Sequence, residues 1–554
     1  MTIDVTVHAN EDDALIAWRP DPWPDEWVGF MLEIRDLTIG ETRTLNNRIP
    51  AKAGQGEVPA SGISSQQSPI LRCIWTDHRV DNVDQVAYRV TPMQRSGDSS
   101  YTPITTAASD WTPPLTPSPQ AGDGLSAFFN RGTLMSQVVS RFVGNDISVA
   151  SLKTFKAELS EAGFPARRYL SGHARHEILS FLSDADRRGN EIYAALYEVN
   201  DQELIDALKP FGTRGNVLIG NGGATKPGVV DELAGAHLTV HERDLSHTGA
   251  SSPSVHNKFA VERTPGSKKA LRVLTGSTNW TTTGLCTQLN NVLVVERPPI
   301  AERFYSQWLK LVKAGDDMPD ALKHDNAQWT TDGPVSVAFA ATPDEDEFEP
   351  VEELIRNARD GLFFLMFMPG QSPLLNALLD RSQGKTGPYV RGVVSQVRES
   401  KNGTIIEHGA RVIRTGEEKK FRDSTLLPSG VPADNLPSGA REEFTRRMFF
   451  PAGLNAIVHS KTIIVDPFSD NCAVVTGSHN FSDSASQKND ENLVIVRGNK
   501  ALAQAYAVHI QGVYDHYSWR AFLSDGGNPD ELFQSLKEWK PNGSRVRDLA
   551  FWIR

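Results

Sequence analysis

The chain has 554 residues, 39% apolar and 23% charged, with 57 Lys+Arg against 68 Asp+Glu and a formal net charge of −11. Those fractions exclude wholesale disorder, collagen and coiled coil, and a chain of this length holds three or four folding units at about 100–200 residues each. The acidic balance argues against a protein that binds polyanions over its whole surface, while leaving room for a local basic groove.

The N-terminus, Met1-Thr2-Ile3-Asp4-Val5-Thr6-Val7-His8, has no basic patch followed by an apolar core, so no signal peptide is expected. From there to Leu115 the chain shows short strand-like runs (Ala14 to Trp18, Val28 to Arg35, Ile70 to Trp75, Gln85 to Pro92) between Pro, Gly, Ser and Asp clusters. Helical periodicity is scarce, which predicts a small antiparallel β-sandwich over residues 1–112. Ile63 to Ser68 fits loop. Trp18 at the end of one strand and Tyr88-Arg89-Val90 on a later one resemble a fibronectin type III module, whose partner the sequence leaves unassigned. The Pro-rich stretch 113–121 predicts an extended linker.

Beyond it helix-like and strand-like stretches alternate, the pattern of an α/β fold. His176 to Arg188 has helical apolar spacing, followed by a strand at Glu191 to Val199, an amphipathic segment at Glu203 to Leu208 and a strand at Asn216 to Ile219. The same order returns in Val351 to Arg359, Leu362 to Met368, Pro373 to Leu379 and Val390 to Val397. Leu362 to Met368 is the densest apolar run. Stopped by Pro369, it is far short of the ~20 residues of a membrane-spanning helix and fits a buried strand. The two runs predict an internal duplication, with halves at 122–332 and 333–554. Three widely spaced cysteines, Cys73, Cys286 and Cys472, supply neither a disulfide framework nor a zinc pattern. The expected compartment is a reducing cytoplasm, although a leaderless secreted protein would look the same.

Each half carries one motif set. The first reads His256-Asn257-Lys258, then Gly276-Ser277-Thr278-Asn279-Trp280, then Asn290-Asn291. The second reads His459-Ser460-Lys461 with Asp466 beyond it, then Gly477-Ser478-His479-Asn480-Phe481, then Asn489-Asp490-Glu491-Asn492. The two histidines are 203 residues apart. On a strand, residues i and i+2 share a face, so each His projects with its Lys. Two such sets at one cleft suit a tetrahedral phosphorus centre. Lys258 and Lys461 would neutralise non-bridging oxygens, Ser277, Ser478, Asn279 and Asn480 would donate hydrogen bonds, and one imidazole would attack while the other protonates the leaving oxygen. Neither copy clusters enough carboxylates for a two-metal clamp, so no metal or other cofactor is expected.

These residues resemble the phospholipase D superfamily over roughly residues 122–530. The resemblance implies duplicated halves with side-by-side mixed sheets flanked by helices, one shared site and a phosphohistidine intermediate. It also implies that Glu491 orients a histidine and adds Asp466 to the catalytic set. The first half departs twice, with Arg263 opposite Asp466 and Asn290 opposite Glu491. With Glu491 behind His459, electrostatics makes His459 the better nucleophile, whereas in two-motif members the first His usually has that role; the assignment stays open. The implied activity is phosphodiester hydrolysis. The acidic balance points to phospholipid head-group release, while the aromatic after each Gly-Ser-x-Asn resembles the superfamily's small nucleases acting on DNA or RNA. A non-catalytic binding or scaffold protein with a degenerate site is the third alternative.

Several residues also have plain structural readings. Asp466 would cap a strand end, Trp280 and Phe481 would pack beneath their motifs, and His173 and His176 would sit at a solvated helix start. Asp344-Glu345-Asp346-Glu347 would be a solvated stretch, and Lys419-Lys420 is too short for an anion site. The insert between Val397 and Ala456 is expected to border the cleft and help select substrate.

Overall fold

The computed structural model describes residues 2–47, 62–80, 84–97, 100–132, 138–139, 142–143, 148–248, 253–369, 372–382, 387–395, 411–414, 452–454, 457–524, 540 and 546–554. It divides into two compact units. One takes in the chain up to Pro119 and from Tyr514 onward; the other takes in the described residues from Gln120 to Val513.

In the first unit, β1 (Thr2–Ala9), β2 (Ala14–Asp21) and β7 (Ile74–Asp77) form one antiparallel sheet. A second sheet has the order β4-β3-β8-β9, from β3 (Trp27–Asp36), β4 (Glu41–Thr44), β8 (Val86–Arg95) and β9 (Tyr101–Pro103). The strands β5 (Asn46–Asn47) and β6 (Ile63–Ser64) pair separately, so part of the expected 63–68 loop is a two-residue strand. Trp18 is fully buried and packs edge-on against Phe30 of the other sheet at 5.4 Å. The Pro-rich stretch begins as a sheet edge rather than a free linker. Thr112 N donates to Tyr88 O, Leu115 pairs with Val86, and Trp111 lies under the guanidinium groups of Arg35 and Arg89. The chain end returns to this unit, where the His8 ring nitrogen lies 2.9 Å from Trp552 O.

The second unit contains the duplication. The first half has β10 (Gln120–Gly122), β11 (Leu125–Phe129), β12 (Glu191–Leu196), β13 (Gly215–Ile219), β14 (Thr239–Glu242), β15 (Lys258–Arg263), β16 (Ala270–Gly276) and β17 (Asn291–Val295). They form one sheet in the order β10-β11-β17-β16-β15-β12-β13-β14. The second half has β18 (Thr330–Asp332), β19 (Val335–Ala340), β20 (Gly361–Met366), β21 (Tyr389–Val394), β22 (Arg411–Arg414), β23 (Thr462–Val465), β24 (Ala473–Gly477) and β25 (Glu491–Arg497). Their order, β18-β19-β25-β24-β23-β20-β21-β22, repeats the first strand for strand. One pairing differs: β13 and β14 are parallel, β21 and β22 antiparallel. Every residue of β20 is buried, which is why its sequence is continuously apolar rather than alternating. The helix over Pro165–Arg187 breaks at Gly172, and His173 and His176 lie just past that break. Trp280 and Phe481 are buried in the two separate cores, the packing role expected of them. The 397–456 insert, with Lys419-Lys420, lies outside the described residues apart from Arg411–Arg414 and 452–454.

Two expectations are corrected here. Glu347 is buried rather than solvated: its carboxylate accepts from Thr342 Oγ1 and pairs with His479 at 3.2 Å. A buried carboxylate needs such partners. Asp466, expected at the catalytic centre, stands at the far end of β23. The four residues of β23 separate it from Lys461, five steps of about 3.3 Å or roughly 16 Å. Its carboxylate accepts the backbone N–H groups of Arg359, Asp360 and Gly361 at 2.7–3.1 Å and so fixes the start of β20. At the matching place Arg263 pairs with Glu191 and stacks over Tyr305, so that departure is a matter of stability. Asp466→Asn is therefore expected to lower unfolding free energy by ~1–3 kcal/mol in denaturant titration, with activity per folded molecule unchanged.

Candidate active site

Each motif histidine is held by the main chain of the opposite half. His256 N donates to Asp490 O at 2.9 Å, and Asp490 N returns a bond to Ser254 O at 3.0 Å. In the mirror arrangement His459 N donates to Leu289 O at 2.9 Å and Leu289 N donates to Ile457 O at 2.8 Å. Asp490 and Leu289 immediately precede Glu491 and Asn290, so each half delivers its orienting side chain to the other half's imidazole.

The side chains follow. His256 Nδ1 lies 2.8 Å from Glu491 Oε2, and His459 Nδ1 lies 2.9 Å from Asn290 Oδ1. This reverses the expected pairing, because Glu491 serves the histidine of the first half. The amide of Asn290 is oriented by donating Nδ2–H to Gly284 O at 2.8 Å, which turns Oδ1 toward His459. Arg243 clamps Asp490 from behind with a buried two-pronged ion pair at 2.7 and 3.2 Å and also donates to Asp317 O.

The serines are corrected as well. Ser478 Oγ donates to Glu491 Oε2 at 2.7 Å and accepts from Asn492 N. Ser277 Oγ lies 2.8 Å from Asn290 Oδ1 and accepts from Asn291 N. Their single hydroxyl protons serve the orienting residues rather than a phosphate. The glycine before each serine is obligatory: at φ +137° and +138°, a Cβ on Gly276 or Gly477 would sit 2.3 or 2.4 Å from the carbonyl oxygen of Asn291 or Asn492. Asn279 is buried with Nδ2 donating to Glu198 Oε2 at 2.7 Å; its Oδ1 and that of Asn480 have no hydrogen-bond partner among the described residues.

Lys258 Nζ donates to His256 O at 2.6 Å, and Lys461 Nζ donates to His459 O. Each ammonium also faces an aromatic ring, Tyr197 at 5.0 Å and Phe367 at 5.3 Å. Those rings pack against His256 and His459 at 4.7 and 4.8 Å. Sequence reasoning missed both because they continue the apolar runs of β12 and β20. Only the end of each strand, one residue earlier, frees the ring to turn toward its histidine.

Burial dominates the electrostatics. It pushes the His256 imidazole down to about 4 despite the opposing pull of Glu491, and with Lys461 and Lys258 it holds His459 well below its ordinary value. It brings Lys258 down to about 7 and Lys461 well below its usual range, the latter with help from Lys258. Burial alone would raise the Glu491 carboxyl, but His256 and Lys258 outweigh it and keep it below the usual range. The arrangement is a pocket short of the positive charge its residues would carry in water. A bound phosphodiester anion would restore that charge.

Residues 351–513, which include all motifs of the second half, match the family model described as "Cardiolipin synthase, PLD-like domain". The mitochondrial cardiolipin hydrolase of Danio rerio is 33% identical over 84 residues, 15% of this chain and 34% of that protein. Residues 351–513 therefore resemble a phospholipase D-like domain. The chain spans about a third of the length of that curated relative. Among solved structures, the phosphatidylserine synthase of Haemophilus influenzae Rd KW20 is similar at 13% identity, 68% of this chain, 93% of that one and a TM-score of 0.40. The superfamily member Nuc from Salmonella typhimurium is similar at 20% identity, 33% of this chain, 95% of that one and a TM-score of 0.19.

The lowered lysine has a measurable consequence. In the unfolded chain Lys258 stays protonated up to about 10.5, whereas in the fold it loses its proton near 7. Between those values the unfolded state binds more protons, so stability rises with pH. Lys258→Met is expected to stabilise the unliganded protein by on the order of 1–3 kcal/mol at pH 7. In calorimetric melts the gain should shrink as pH approaches 10.

Proposed function

We propose that the chain cleaves a phosphodiester by double displacement at phosphorus, with His256 as nucleophile and His459 as general acid, and that its substrate is a phospholipid whose head group is released. The observation that carries this reading is the exchange of orienting groups, which gives His256 the carboxylate of Glu491 and His459 the amide of Asn290.

Neutral His256 donates Nδ1–H to Glu491 and keeps the Nε2 lone pair for phosphorus. As the N–P bond forms, the imidazole becomes cationic and the carboxylate stabilises it. The P–O bond to the head-group alcohol breaks, and its oxygen takes the Nε2 proton of His459, which the substrate's negative charge has allowed to protonate. Water then attacks phosphorus and gives a proton to His459. The P–N bond breaks, releasing phosphatidate and restoring both imidazoles. Lys258, Lys461, Asn279 and Asn480 surround the non-bridging oxygens. Ser277 and Ser478 are positioning residues for Asn290 and Glu491.

A lipid substrate is supported by the net charge of −11, which suits no bulk polyanion binder, and by the matched family's description and the relative's name, both of which refer to cardiolipin. The test uses bis-p-nitrophenyl phosphate, phosphatidylcholine vesicles and single-stranded DNA. His256→Ala should lose turnover on every substrate. His459→Ala should lose ~10²–10⁴-fold on a lipid but far less on the nitrophenyl ester, whose leaving group departs without a proton. EDTA should leave turnover intact. Equal losses on both substrates in His459→Ala, or full activity in His256→Ala, would defeat the assignment. DNA cleavage with steep salt dependence would make the chain a nuclease, and tight binding without turnover would make it a binding protein.

A further inference from the structure

The two halves repeat each other around the site except on one flank. Tyr197 and Phe367 occupy equivalent places, each packed against its half's histidine. The residues that follow them are Glu198 and Met368, both half-buried. One flank of a site for an anion therefore carries a carboxylate, and the other a thioether.

Glu198 is built in rather than incidental. Its Oε2 accepts Asn279 Nδ2–H at 2.7 Å and its Oε1 accepts Ala224 N–H at 3.2 Å. The Gly-rich loop that supplies Ala224 is shaped around it, since a Cβ on Gly222 would sit 2.2 Å from Glu198 Cγ. Both donors are neutral, an amide and a backbone N–H, and they leave the carboxylate further lone pairs, with Lys258 the cation within its electrostatic reach. Beside it Asn279, only 3% exposed, has an Oδ1 with no partner among the described residues. The Gly-Ser-x-Asn turn does not need the carboxylate for its own sake, because the second half keeps Asn480 in that turn with Met368 as the residue that follows Phe367. A carboxylate at this place draws on the charge of Lys258 that would otherwise serve the phosphodiester, unless the substrate brings a cation of its own. What the flank offers is acceptors: a carboxylate and an unused amide oxygen.

Resting on the reading of the site as one for phosphodiesters, we propose that Glu198 and Asn279 form a subsite for an ammonium-bearing head group, so that the preferred substrate is a zwitterionic phospholipid of the ethanolamine type. The ammonium donates to Glu198 and to Asn279 Oδ1 while the lysines hold the phosphate. A neutral glycerol head group brings no cation for the carboxylate, which then competes with the phosphate for Lys258.

The test is a binding measurement, independent of turnover. Wild-type and Glu198→Gln protein are titrated by calorimetry with glycerophosphoethanolamine and glycerophosphoglycerol, soluble diesters that differ in carrying an ammonium or hydroxyls. The wild type is expected to bind the ethanolamine diester about tenfold more tightly, and Glu198→Gln to erase that preference while still binding both. Equal affinities in the wild type would overturn the proposal, as would a preference that survives in Glu198→Gln. Equal weakening of both diesters by the substitution would make Glu198 only a positioner of Asn279 and overturn it too. Failure to turn over bis-p-nitrophenyl phosphate would instead defeat the proposed reaction, and the ratio of the two affinities would still decide the subsite.

Discussion

The site depends on one constraint: the short main-chain pairing by which each half grips the other's histidine segment. His256 is tied to Asp490 and His459 to Leu289, and in both cases the next residue of the gripping strand carries the side chain that orients the ring. Neither half holds a complete site. Taken apart, each would keep a histidine without its acceptor and an acceptor without its histidine. The buried Arg243–Asp490 pair reinforces the joint, since removing either partner leaves an uncompensated buried charge. Carrying both halves in one chain makes this docking intramolecular, and the site forms as part of the fold.

The constraint also explains what the sequence could and could not disclose. The existence and approximate bounds of β12, β13, β20 and β21 were legible because they are largely apolar runs between helical segments, a strictly local signal. The recurrence of His-x-Lys and Gly-Ser-x-Asn located most of the site for the same reason. What stayed hidden was non-local. Glu491 lies 32 residues from His459 and 235 from His256, and nothing in a linear reading favours the distant partner. Asp466 follows His459-Ser460-Lys461 so closely that proximity in sequence suggested proximity in space, yet an extended strand carries it away from the site. Glu347 looked like part of a solvated acidic run because its partner, His479, arrives from a motif 132 residues further on.

The energetics of the site run against stability. Two lysines and two histidines are buried together with one carboxylate, that of Glu491, to balance them. The fold tolerates this because the sheets on either side are closely packed cores, and because Asn290, Asn291, Asn492 and the two serines satisfy the neighbouring polar atoms. Residues that would be comfortable as cations in water are held ready for an anion, a state that favours tight phosphate binding at the expense of the empty protein.

The single difference between the orienting residues, an amide at 290 and a carboxylate at 491, is what the proposed division of two chemical roles rests on. Either group accepts the Nδ1 proton and aims Nε2 at the same centre. A carboxylate stabilises an imidazole that must become cationic on bonding to phosphorus. An amide orients the ring without stabilising the cation, so the imidazolium stays acidic and surrenders its proton to a departing alkoxide. Two carboxylates would weaken the acid and add negative charge against the substrate; two amides would leave the nucleophile unsupported. The departure at Asn290, which in a linear reading looks like decay of the first half, is in the folded chain the feature on which the proposed assignment of the acid to the second half and the nucleophile to the first rests.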